Sequence, residues 1–130
     1  MVNKRKEQQM ELMADTTNFE SLTVRWLARQ NEEVAVALGH KMYYQSFHGT
    51  NDTEVNGVLV DFQPVRDSAT AFKLMVQENI QAHTEPRGEY VYVTAHCEDG
   101  PVWSSTVFAH GAEAEMRRLI CVAIVSKYTK

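Results

Sequence analysis

The side chains of this sequence that could carry chemistry are two cysteines, five histidines and a set of arginines interleaved with aromatic residues. Nucleophilic catalysis needs a Ser, Cys or Thr beside a base that a third group orients. His96 and Cys97 are adjacent, but neighbours in an extended segment point to opposite faces and form no dyad with each other. Cys97 then reads as a small buried hydrophobe. His40, His48, His83, His96 and His110 show neither i, i+4 spacing on one predicted helix nor a His-Glu-x-x-His pattern, so scattered surface imidazoles are expected and no metal site. Asp61, Glu98 and Asp99 sit at predicted strand ends and turns, where solubility is their simplest role. Neither a Gly-x-Ser-x-Gly elbow nor a glycine-rich phosphate loop is present. A protein without catalysis and without a cofactor is the expectation.

What remains is a pattern suited to binding. Arg117 and Arg118 are adjacent in the first turns of the predicted closing helix. Trp103 and Phe108 lie on the strand before it, and Tyr43, Tyr44 and Phe47 lie close to His48 in the first long loop. Guanidinium forks grip phosphates through paired hydrogen bonds, and aromatic planes stack on bases. The plainer reading of these residues is core aromatics and solvated arginines; the sharper one is a nucleotide pocket. Lys and Arg number 13 against 17 Asp and Glu, a formal net charge of −4. That balance disfavours a nucleic-acid polymer, which needs a basic face, and suits a small nucleotide better.

The elements that must position these residues belong to one domain. At 130 residues, with 44% hydrophobic and 23% charged residues, the chain has the composition of an ordinary globular domain. Residues 1–18 are polar and read as a flexible or short helical segment; 19–130 read as a single α+β domain. Cys97 and Cys121 make no disulfide framework. No apolar run approaches the roughly 20 residues of a membrane span, and no apolar stretch follows Lys4-Arg5-Lys6, so the cytoplasm is the default compartment.

Apolar periodicity predicts a helix over 19–39, carried by Leu22, Trp26, Leu27, Val34, Ala35 and Leu38. Asn31 before Glu32 and Glu33 resembles a fresh N-cap, so a break is expected near Gln30-Asn31; Gly39 fits the C′ position. Residues 40–57 read as loop after a short strand at Met42–Tyr44, with Gly49, Asn51 and Asp52 as turn residues. Asn56-Gly57 is placed to close a hairpin onto Val58–Val60. Asp67 or Ser68 caps a helix over 68–80 with a stripe of Phe72, Met75, Val76 and Ile80. A loop over 82–88 leads to a strand over 89–97, with Val91, Val93 and Ala95 on one face and Tyr90 and Tyr92 on the other. Its antiparallel partner spans 102–109, and a helix over 112–128 closes the chain. The fold class expected is α+β, a small mostly antiparallel sheet packed between helices as a three-layer α/β/α sandwich. The closing helix carries a wide apolar face of Met116, Leu119, Ile120, Ala123 and Ile124, more than a small sheet covers, so a homo-oligomer is expected.

Two segments resemble a known family. The run Asp61-Phe62-Gln63-Pro64-Val65-Arg66-Asp67-Ser68-Ala69, leading into an amphipathic helix, resembles the aromatic-x-Pro-[ST]-x-Asp-x-Ala motif of the phage ABA-sandwich family. The closing helix, Gly111-Ala112-Glu113-Ala114-Glu115-Met116-Arg117-Arg118-Leu119-Ile120-Cys121-Val122-Ala123, resembles that family's last helix with its arginine offset by one position, so Arg117 is kept beside Arg118. The resemblance implies a small phage or prophage protein acting in the host cytoplasm. Its layout is similar to that of the Thoeris anti-defence proteins, which bind cyclic nucleotide immune signals without cleaving them. By that analogy the chain sequesters a cyclic nucleotide or a cyclic ADP-ribose type of ligand in a homo-oligomer. Arg66, Arg117 and Arg118 would hold phosphates, with Arg25 and Arg29 as further candidates, and Trp103, Phe108, Tyr43 and Tyr44 would stack on bases. The alternative is a small acidic phage protein that inhibits a host protein by binding it. An enzyme such as a phosphodiesterase ranks behind both.

Overall fold

In a computed structural model, which describes residues 16–45 and 51–129, the chain runs α1 (Thr16–Ala37), β1 (Lys41–Gln45), β2 (Asn51–Val55), β3 (Val58–Asp61), α2 (Ser68–Gln77), β4 (Gln81–Arg87), β5 (Tyr90–His96), β6 (Trp103–Phe108) and α3 (Ala112–Tyr128). The readings made for residues 1–15, Phe47, His48 and Gly49 lie outside the described residues. The expected α+β class with antiparallel strands holds. The strands divide into two three-stranded sheets, β1-β2-β3 and β4-β5-β6. The first sheet packs on α1, the second on α3, and α1 packs on α3.

Local sequence accounts for most element ends. Asn56 (φ 53°) and Gly57 (φ 83°) supply the two positive φ values of a tight two-residue hairpin between β2 and β3. Gly39 (φ 77°) closes α1: its N–H donates to Val36 O at 3.0 Å, and His40 N–H donates to Ala35 O at 2.9 Å. That pair of bonds is a Schellman motif. Asn79 (φ 57°) closes α2 in the same way, with Asn79 N–H on Val76 O at 3.3 Å and Ile80 N–H on Met75 O at 2.9 Å. At the other end of α2, Asp67 is the N-cap, accepting from Ala69 N–H at 3.2 Å and Thr70 Oγ1 at 2.6 Å.

Four expectations are corrected. Helix α1 runs through Gln30-Asn31 without a break. Asn31 caps nothing; it is fully buried, and its Oδ1 accepts from Val65 N–H at 3.0 Å. Asn51 and Asp52 form the start of β2, the central strand of the first sheet, where two neighbours supply the pairing that polar residues do not favour alone. Residues 82–88 are mostly strand β4 rather than loop. An edge strand tolerates Pro86, whose nitrogen has no hydrogen to donate, and β4 buries too little to show apolar alternation. Finally, α2 is rotated from its expected face: Ala71 and Leu74 are buried, while Phe72 and Val76 are 63% and 64% exposed.

The core forms where α1 and α3 meet the two sheets and the 62–67 connection. Val34 and Ala35 of α1, Val93 and Ala95 of β5, and Leu119, Ile120, Ala123 and Ile124 of α3 are its centre, with Phe62, Val65, Leu74 and Ile80 around them. The apolar face of the closing helix is thus internal. It is spent on the chain's own core and does not argue for an oligomer. Burial of the Asn31 side chain makes its bond to Val65 a structural one. Asn31→Ala strands the Val65 N–H, and the unfolding free energy should fall by about 1–3 kcal/mol in urea titration. A change below about 0.5 kcal/mol would contradict this role.

Candidate functional site

The 62–67 connection sets the site. Gln63 O accepts from the N–H groups of Arg66 at 3.0 Å and Asp67 at 2.8 Å, turning the chain before α2. Val65, inside this turn, is held from both sides. Its N–H donates to Asn31 on α1, and its carbonyl accepts from Arg117 Nε on α3 at 2.9 Å. Arg117 Nη1 also donates to Ser68 Oγ at 2.9 Å and lies 3.7 Å from Glu113 Oε1. One guanidinium therefore joins α3 to the turn and to the first residue of α2, so Arg117 is foremost a structural clamp.

Around this clamp lies a cleft of about 320 Å³, lined among others by Trp26 and Leu27 of α1, Arg66 of the turn, and Arg117 and Arg118 of α3. Three arginines named from sequence, Arg66, Arg117 and Arg118, are brought together there. Arg118 is ion-paired through Nε with Glu115, which also accepts from Ser105 Oγ at 3.3 Å. Arg66 is exposed and has no ion-pair partner among the described residues. Gly111, at the N-cap of α3, lines the same cleft and provides no side-chain cap. The helix dipole there is offset by Glu113 and Glu115 in the first turn. The cleft thus favours an anion chiefly through Arg66, and through Arg118 if Glu115 yields it.

Further along both α1 and α3 lies a second cleft of about 240 Å³, mostly apolar. Gln30, Glu33 and Val34 line it from α1, Val122 and Val125 from α3, and Trp103 from β6. Trp103 is 38% exposed and forms the β6 wall of this cleft. Gln30 Oε1 is buried and has no hydrogen-bond partner among the described residues. A flat ring entering here would meet an indole wall, valine side chains and an unused acceptor. The lining residues of the two clefts follow in the same order along both helices, Trp26 and Leu27 before Gln30 to Val34 on α1 and Gly111 to Arg118 before Cys121 to Thr129 on α3.

Phe108 and Tyr43, also named from sequence, line neither cleft. Phe108 stacks on Tyr90 at 4.7 Å and on His110 at 5.8 Å between ring centres. Tyr43 is exposed on β1, donates to Glu54 Oε2 at 2.9 Å and lies under Lys41 Nζ. Tyr44 stands opposite Asp52 in the sheet, and its side chain lies outside the described ones, as does that of Arg25. Arg29 pairs with Glu33 at 3.9 Å across an exposed helical turn. Sequence reasoning missed Gln30, Glu33 and Trp26 as lining residues. Trp26 counted as part of a buried stripe but is 49% exposed.

Cys121 also lines the Trp103 cleft. Burial pushes its thiol up to about 12, against the lowering effect of the Arg117 charge, so it is a neutral, inert thiol at neutral pH. No group of three or more His, Cys, Asp or Glu among the described residues could hold a metal ion. No helix among them is long and apolar enough to cross a membrane. No family model matches this chain, and neither does any curated protein or solved structure. The fold is that of an α+β protein with two clefts lined by its packed helices α1 and α3.

Beyond the two clefts, Glu78 is a buried carboxylate at the end of α2. It accepts from the Tyr128 hydroxyl, from Lys127 Nζ at 3.3 Å and from Gln77 Nε2 at 3.0 Å. Lys127 Nζ also donates to the Glu78 carbonyl at 3.0 Å, so the last turn of α3 is tied to the end of α2. Burial pushes the Glu78 carboxyl up, but the bonds from Tyr128, Gln77 and Lys127 and the Lys127 charge outweigh it and hold it below its ordinary value. A depressed folded-state value stabilises fully above the ordinary carboxylate pKa of about 4.3 and is lost as pH falls through the folded value. Urea titrations between about pH 2 and pH 7 should show this acid loss, and Glu78→Gln should make it shallower while lowering stability at neutral pH by about 1–2 kcal/mol. Equal acid slopes for the two proteins would contradict the assignment.

Proposed function

We propose that this protein binds a small nucleotide in the clefts lined by α1 and α3 and holds it without cleaving it, sequestering a cyclic nucleotide or cyclic ADP-ribose type of signal in the cytoplasm of an infected host. The observation that carries this reading is the succession of two unlike clefts along the same two helices. The apolar cleft walled by Trp103 suits a base, and the arginine cleft nearer the start of α3 suits a phosphate. Trp103 stacks on the base while Gln30 Oε1 and the Glu33 carboxylate accept from its N–H groups. Arg66 meets the phosphate first, Arg118 exchanges Glu115 for it, and Arg117 keeps the wall in place. The inert Cys121 thiol fits storage of the ligand rather than attack on it. The phage setting rests on the resemblance of the Asp61–Ala69 and Gly111–Ala123 segments to the ABA-sandwich family.

A host-protein inhibitor is the second reading, favoured by Phe72 and Val76, which form an exposed i, i+4 apolar pair on α2. One titration separates the two. Thermal-shift and calorimetric screening against cyclic dinucleotides, cyclic trinucleotides and cyclic ADP-ribose isomers should find one compound that raises the melting temperature by mass action. Arg66→Ala should weaken its binding about tenfold, about 1.4 kcal/mol. Trp103→Ala should cost about 1–3 kcal/mol of binding. Heat denaturation should return the ligand intact. A flat screen overturns the nucleotide reading, and recovery of hydrolysed product overturns sequestration.

A further inference from the structure

The Trp103 cleft brings two side-chain acceptors from α1 together without a cation. Gln30 lines it, and its Oε1 is buried with no hydrogen-bond partner among the described residues. Glu33, three residues on and therefore on the same face of α1, brings a carboxylate to the cleft. Its ion pair with Arg29 is 3.9 Å long between mostly exposed side chains and holds the carboxylate weakly. Neither Lys nor Arg lines this cleft. On the α3 side the Thr129 hydroxyl is committed to Val125 O at 2.9 Å, and the Ser126 hydroxyl can donate or accept. A buried acceptor left unpaired destabilises the folded protein. The Gln30 amide therefore gives up no bond of its Oε1 on turning toward a ligand.

These groups read a base by the order of donors and acceptors along its edge. An amide offers a donor and an acceptor side by side, Nε2 and Oε1, and a carboxylate offers acceptors only. Guanine presents in order the O6 acceptor, the N1–H donor and the N2 amino donor. The Gln30 amide donates to O6 and accepts from N1–H, and Glu33 accepts from the amino group. Adenine can pair its N6 amino group and N1 with the amide, but the next position is C2–H and leaves Glu33 without a donor. Cytosine and uracil both set the O2 carbonyl at that position, against the carboxylate.

We infer that the Trp103 cleft selects guanine, with Gln30 and Glu33 reading its N1–H and amino edge, so that the ligand held is a guanine-containing cyclic nucleotide. The inference rests on the nucleotide reading and narrows it. The bond from the guanine amino group to Glu33 is charge-assisted and of the stronger kind. A site built on such a bond rejects a base that lacks the donor, because its own polar group is then left unpaired. Arg66 lines the other cleft and meets the phosphate whatever the base. Affinity for the phosphate and choice of base are thus carried by different residues.

Calorimetric titration of the full chain with the guanine, hypoxanthine and adenine forms of one cyclic mononucleotide and one cyclic dinucleotide, and with cyclic ADP-ribose isomers, tests it. The guanine form should bind about 10- to 100-fold tighter than the adenine form. The hypoxanthine form, which keeps N1–H and lacks the amino group, should fall between them. Glu33→Ala should erase the difference between guanine and hypoxanthine. Gln30→Met should weaken the guanine form about tenfold, while the melting temperature of the ligand-free protein stays the same or rises, since an unpaired acceptor is removed. Arg66→Ala should weaken all forms alike and leave their ratios unchanged. Equal or tighter binding of an adenine form or a cyclic ADP-ribose isomer overturns the guanine assignment and leaves the nucleotide reading standing, as does a guanine preference that survives Glu33→Ala. Binding of no compound overturns the nucleotide reading and this inference with it.

Discussion

The peptide of Val65 is the point on which the arrangement turns. Its N–H is held by Asn31 of α1 and its carbonyl by Arg117 of α3. Both groups are out of water, and a buried amide without a partner is expensive. The two side chains that satisfy them come from the two helices that carry the sheets. Arg117 adds Ser68 Oγ, so the start of α2 is fixed by the same guanidinium. Tying a single turn to three helices sets the rotation of α2, and the second tie from Lys127 and Tyr128 to Glu78 fixes its far end. Ala71 and Leu74 then face inward and Phe72 and Val76 outward, against the pull of side-chain hydrophobicity alone.

The same clamp shapes the clefts. An arginine that bonds a buried carbonyl and a serine hydroxyl has only part of its fork left for a ligand. In the proposed binding the charge that meets the ligand consequently rests on Arg66, which is exposed, and on Arg118, which would exchange its partner Glu115. The apolar cleft draws on α1, α3 and β6, so its shape depends on how the two helices are held together. Structure and proposed binding are in this sense one problem. The residues that fix the helices also fix the distance between a cationic cleft and an aromatic one.

Much of the frame was legible in the sequence. Asn56-Gly57, the Asp67 cap, Gly39, the alternation of Tyr90–His96 and the closing helix each carry a local signal, because turn chemistry and period are set by near neighbours. The misread parts depend on distant partners. β2 and β4 are polar strands that exist because neighbouring strands pair with them. Asn31 looked like a cap because its acceptor oxygen serves either a local amide or one 34 residues away, and only the fold decides. The candidate site was legible in part. Arg66, Arg117, Arg118 and Trp103 were singled out by residue type, and the fold brings the three arginines together. Nothing in the sequence placed Gln30 or Trp26 beside them, since an amphipathic stripe looks the same whether its edge is buried or lines a groove. Phe108 and Tyr43 had the right chemistry, but their strands turn them toward Tyr90 and Glu54 instead.

The central claim is that the Val65 peptide is a buried joint shared by α1 and α3. Native-state hydrogen exchange, read at the Val65 amide, tests it most directly. If the joint holds the two helices together, this amide exchanges only through global unfolding, with a protection free energy equal to that of the core amides of Val93 and Ile124. If instead it exchanges through local opening, well below the core amides, the turn is an ordinary surface loop and the account is wrong.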